Sequence, residues 1–123
     1  VVTDPDPASY ALAAQVFGRL EVPIYYVCGN HDRAADIHRY LPMGPKSDCF
    51  ATDDKLSYTF QIKGQRFLVV DARGPDEIDP HGLVSVEQMA VLARECGPLG
   101  PPLSIFTHYP ALPLNSMWMD AYM

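Results

Sequence analysis

No apolar run in the chain approaches the roughly 18 residues that a membrane-spanning helix needs, and no secretory leader is visible at the amino end. Cysteine is scarce. Cys28, Cys49 and Cys96 are three in number and form no CxxC pair, which speaks against a disulfide framework and a cysteine zinc site. That usage fits a reducing, cytoplasmic compartment. Lysine and arginine never cluster, and the net charge is −6, so the chain repels nucleic acid and anionic membranes at long range. An initiator methionine is missing as well. Val1 stands inside an apolar run and Met123 just past a loop, so both ends read as cut.

What is present suffices for one core. Of the 123 residues, 48% are hydrophobic, and no linker divides them, so residues 1–123 are expected to be a single domain or part of one. Residues 1–3 read as the end of a strand. Asp6 caps a helix over residues 8–20, with Pro7 at its first position and an apolar stripe of Ala13, Phe17 and Leu20 with Leu12 and Val16 beside them. Residues 24–28, Ile-Tyr-Tyr-Val-Cys, form a continuous apolar run of the kind buried on both faces of a sheet. A short helix follows at 33–41 and a loop at 42–55. Alternation over 56–62, the Lys63-Gly64-Gln65 turn and the returning run 66–70 predict a hairpin. Ser85 and Gln88 make a capping box for a helix whose buried stripe is expected at Met89, Leu92, Ala93 and Cys96. Residues 103–107 close the pattern as a strand, and 108–123 form a Pro-rich, aromatic loop. The fold class is α/β, a mixed sheet flanked by helices.

In open α/β sheets, ligands bind beyond the carboxyl ends of strands. Three of the expected strands run into metal-compatible residues there: Asp4, the Gly29-Asn30-His31-Asp32 turn, and His108. If those strands are parallel neighbours, Asp4, Asn30 and His108 converge. A carboxylate, an amide oxygen and an imidazole suit a borderline or hard divalent cation. Gly29 would permit a tight turn out of its strand, and His31 can exchange a proton near neutral pH. Each residue also has a plainer reading. Asp4 is then an ordinary loop residue, Asn30 an Asx turn, and His108 a structural histidine. Asp32 is expected to cap the helix behind it. His38 and His81 are expected at the surface, and Tyr25 and Tyr26 in strand packing.

The order strand-Asp, strand-Gly29-Asn30-His31-Asp32, hairpin, strand-Asp71, capped helix, Phe106-Thr107-His108-Tyr109-Pro110 resembles the calcineurin-like metallophosphoesterases. Within them it looks nearest to class III cyclic nucleotide phosphodiesterases and glycerophosphodiesterases. Asp32, where a Glu would stand in Ser/Thr protein phosphatases, points away from those enzymes. The resemblance implies an αββα sandwich, here incomplete, and two divalent or trivalent ions of iron, manganese or zinc. It implies Asn30 and His108 as metal ligands and Asp4 as the bridging carboxylate. His31 would be the catalytic residue, touching the substrate and protonating the leaving group, and Tyr109 or Trp118 would contact the organic part of a small phosphodiester. The family's N-terminal Asp-x-His block and C-terminal Gly-His-x-His block are absent, and Thr3 rather than Gly precedes Asp4. The chain is therefore expected to be the central piece of a phosphodiesterase. The alternatives are a truncated or degenerate non-catalytic domain and a nuclease of the same superfamily, which the acidic charge opposes. Trp118 in the 109–123 loop suggests an interface between copies of the chain.

Overall fold

A computed structural model describes residues 1–50, 54–74, 82–97 and 100–117. The elements run α1 (Pro7–Phe17), α2 (Ala34–Tyr40), β1 (Ser47–Asp48), β2 (Tyr58–Ile62), β3 (Gln65–Val69), α3 (Val86–Glu95) and β4 (Leu103–Phe106). The strands form one four-stranded sheet in the order β1-β2-β3-β4. The first two pairings are antiparallel, and β3 pairs with β4 in parallel, so the sheet is mixed.

The period of two along β3 divides the core between the faces of the sheet. Phe67 and Val69 join a cluster with Tyr26, Cys28, Ile37 and Tyr58, which α1 and α2 help to build. Leu68 and Val70 join a second cluster with Val91 and Leu92 of α3. Helices thus flank both faces, as expected of an incomplete αββα sandwich. Across the strands runs an aromatic stack. Tyr25 lies on Phe60 at 3.7 Å between ring centroids, Phe60 on Phe67 at 4.8 Å, and Phe67 on Phe106 at 6.1 Å.

Residues 24–28 depart from expectation. They join no ladder among the described residues, and neither do residues 1–3. Their apolar content still commits 24–28 to the core, where Tyr26 and Cys28 are buried. The Tyr58 hydroxyl donates to the Tyr26 carbonyl at 2.8 Å, replacing one ladder bond by a side-chain bond. Hydrophobicity selects burial, whereas a strand also needs a hydrogen-bonding neighbour. A two-residue strand, β1, lies instead where a loop was expected.

The helices agree with their caps and differ on their faces. Asp6 accepts from the Ala8 and Ser9 amides with Pro7 at the first position, as read. The helix stops at Phe17 because Gly18 is a poor helix former, three residues before the expected end. Its fully buried residue is Tyr10, and Leu12, Val16 and Leu20 are exposed. The Ser85–Gln88 capping box is complete on α3. Its buried residues are Gln88 and Val91, with Leu92 half-buried, while Met89, Ala93 and Cys96 face out. The expected stripe is therefore wrong by about one position, because a buried glutamine anchors the inner face. His38, expected at the surface, is half-buried. His81 and Trp118 lie outside the described residues.

Candidate functional site

The turn over 29–32 is built around a buried carboxylate. Asp32 has no exposure, and it accepts from the Gly29 amide at 3.0 Å, the Val2 amide at 3.1 Å and the Tyr10 hydroxyl at 3.4 Å. The Tyr10 oxygen in turn accepts from the Arg33 amide at 2.9 Å. Asp32 is thus the hub that joins the turn to the amino-terminal residues and α1. It is not the cap of α2, whose N-cap is Arg33 without a side-chain bond. Burial pushes the Tyr10 phenol up to about 12. It also raises the neighbouring Cys28 thiol, with the charges of Asp71 and Asp32 adding to the effect.

Asn30 leaves this turn toward the end of β4. Its Oδ1 lies 3.1 Å from Nε2 of His108, across 78 positions of sequence. An amide oxygen only accepts, so the contact is a hydrogen bond in the tautomer with its proton on Nε2, whereas the other tautomer leaves Nε2 open to a cation. Adjacent ligands of a cation with bonds of about 2.1 Å lie about 3 Å apart. The two donor atoms therefore already stand at the spacing of neighbours in one coordination sphere. A methyl group on residue 29 would meet the His108 ring at 3.6 Å and Asp32 at 3.4 Å. Gly29 does not have a positive φ, and these are ordinary van der Waals distances, so neither backbone strain nor crowding demands a glycine here.

His31 is exposed next to Asn30. Tyr109 is buried, and its ring stands edge-on to His108 at 5.2 Å and 82°. It also lines a groove of about 540 Å³ with Thr107, Ala72 and Met89. Asp4 is exposed and lines a groove against α1 with Ser9 and Leu12. Among the described residues no group of three His, Cys, Asp or Glu side chains is placed to hold a metal ion. The fit to a metal is therefore that of one corner with two donors.

Two further side chains belong to the site although the sequence analysis assigned neither a role. Arg73 donates from Nε to the Asn30 carbonyl at 3.3 Å. Asp71, buried at the end of β3, accepts from the Arg73 amide at 3.0 Å and the Leu56 amide at 2.9 Å. Its own amide donates to the Ser57 hydroxyl at 3.0 Å, and its carbonyl accepts from Gln88 at 2.6 Å. Asp71 was readable only as an acid ending a strand; Arg73 carried no signal, since loop arginines are usually solvated.

No protein-family model matches the chain. Among curated proteins it is 29% identical to glycerophosphodiester phosphodiesterase GpdQ of Enterobacter lignolyticus, over 93% of this chain and 40% of that protein. It is 27% identical to a 3′,5′-cyclic-nucleotide phosphodiesterase of Nostoc, over 95% of this chain and 41% of the relative. The likeness to the calcineurin-like metallophosphoesterases holds. A Psychrobacter relative, named as a cyclic nucleotide phosphodiesterase, adds 25% identity over 99% of this chain and 36% of its own length. The chain thus spans about two fifths of the relatives it matches. No helix among the described residues is long and apolar enough to cross a membrane.

Proposed function

We propose that the protein is a metal-dependent phosphodiester hydrolase, acting on a cyclic nucleotide or another small phosphodiester, in which Asn30 and His108 form one corner of a binuclear metal centre. The observation that carries this reading is the 3.1 Å approach of Asn30 Oδ1 to His108 Nε2 between turns far apart in sequence. The names of the relatives support the reaction class. Residues 1–123 would supply the middle of the catalytic domain. When bound, a pair of iron, manganese or zinc ions supplies an activated water and positive charge for the phosphate oxygens.

The side chains of this chain do the rest. Asn30 and His108 present a neutral oxygen and a nitrogen to one cation. Tyr109 packs against the His108 ring and limits its rotation. His31, exposed beside Asn30, can hand a proton to the departing alkoxide. Asp4 is the proposed bridging carboxylate, and its substitution judges that assignment separately.

The test is manganese-dependent hydrolysis of bis(p-nitrophenyl) phosphate by the full-length protein, with bound metal measured by elemental analysis. Asn30→Ala and His108→Ala are expected to lose metal together with activity. His31→Ala should keep its metal and lose about a hundredfold in kcat, the scale of a general acid. Wild-type protein with neither bound metal nor turnover would overturn the reading in favour of a non-catalytic domain. A DNA mobility shift with DNA cleavage would move it to a nuclease.

A further inference from the structure

The turn that presents Asn30 is held from two sides. On one side the Asp32 amide donates to the Gly29 carbonyl at 3.1 Å, and the Asp32 carboxylate accepts from the Gly29 amide. These bonds join the ends of the turn and do not engage the peptide between Asn30 and His31. On the other side Arg73 reaches across 43 positions of sequence, and its Nε–H donates to that very peptide at the Asn30 carbonyl. Rotation of this one peptide would swing both the Asn30 amide oxygen and the His31 ring.

The arm that does this is itself fixed. The Arg73 amide donates to buried Asp71, and the Lys55 ammonium donates to the Arg73 carbonyl. Asp71 is tied in turn to Leu56, Ser57 and Gln88, at the point where β2, β3 and α3 meet. A continuous run of hydrogen bonds thus leads from the buried end of the hairpin to the peptide behind the metal corner.

We infer that Arg73 is a positioning residue: its Nε–H holds the Asn30–His31 peptide so that Asn30 Oδ1 stays beside His108 Nε2. The inference rests on the metal-corner reading of Asn30 and His108. It makes a specific claim about which property of Arg73 matters. The group that meets the Asn30 carbonyl is Nε–H, so the donor is the property to separate from the charge. Groups that orient a metal ligand typically change metal affinity by about 10–100-fold when removed.

Two substitutions separate donor from charge. Arg73→Met keeps the apolar stem and removes both. Arg73→Gln places an N–H donor the same number of bonds from Cα as Nε and removes only the charge. In metal-free full-length protein the backbone ¹⁵N resonance of His31 reports hydrogen bonding to the Asn30 carbonyl. It is expected to move in Arg73→Met and to return toward wild type in Arg73→Gln. Manganese affinity should fall about tenfold in Arg73→Met and stay within about twofold of wild type in Arg73→Gln. Unchanged affinity in Arg73→Met, or equal loss in both variants, overturns the inference, the latter because charge would then be the cause. If wild-type protein binds no manganese, the metal reading fails by itself. The His31 resonance then decides the clamp alone, and an unmoved signal in Arg73→Met overturns it.

Discussion

Gly82 shows how one missing side chain can shape a site from outside it. A Cβ there would lie 2.8 Å from Cγ of Tyr109, closer than real contacts allow, and a tight 3.0 Å from its Cβ. Tyr109 stands edge-on to His108, so displacing it tilts the ring that faces Asn30. Gly82→Ala is expected to cost about 1–3 kcal/mol of stability by overpacking and to lower diester turnover. Gly29→Ala meets only ordinary contacts at 3.4–3.6 Å and should fold almost as stably as wild type. Urea unfolding of the two variants checks the contrast, and equal losses would refute it. Gly29 was legible from the motif around it, although the structure shows no crowding or positive φ that demands a glycine there. Nothing in the sequence near Gly82 announces Tyr109, which lies 27 positions away by residue number.

At the scale of elements, local chemistry was read well and inner faces poorly. The turn between β2 and β3 is a two-residue loop in which Lys63 has φ 52° and Gly64 φ 81°. Two positive φ values are the pattern of a type I′ hairpin, in which Asn-Gly is the favoured pair. A lysine in this region is strained, so Lys63→Asn is expected to raise stability by about 0.5–1 kcal/mol. Thermal melting measures it, and an unchanged midpoint would show that the strain is absent. The caps of α1 and α3 were legible because a cap depends on residues within one turn of each other. The buried face of α3 was not. Gln88 looked like a capping residue alone, yet its side-chain amide also donates to the Asp71 carbonyl and the Ser57 hydroxyl. A polar side chain that is satisfied by distant partners can occupy an inner position that hydrophobicity assigns elsewhere.

On the scale of the whole molecule, two buried phenols link the core to pH. Burial raises Tyr10 from near 10 to about 12 and moves Tyr58 in the same direction. Their neutral forms are favoured in the folded state, so that part of the stability is intact below pH 10. It drains away as pH climbs above 10, where the unfolded chain ionises first. Unfolding free energy should fall steeply from pH 10 to 12, and the fall should be shallower in Tyr10→Phe. Parallel curves for the two proteins would remove Tyr10 as a source. The same phenol joins α1 to Asp32 and α2, so it is also a joint between layers. The sequence by itself determined the α/β class, the hairpin, two helix caps and the turn carrying Asn30, because each depends on neighbours along the chain. Tertiary structure alone decided that residues 24–28 enter the core without a ladder, that Asp32 is a hub, and that Arg73 grips the Asn30 peptide. The physical reason is that a hydrogen bond or close contact between distant segments depends on both partners' final positions, and no local pattern records those.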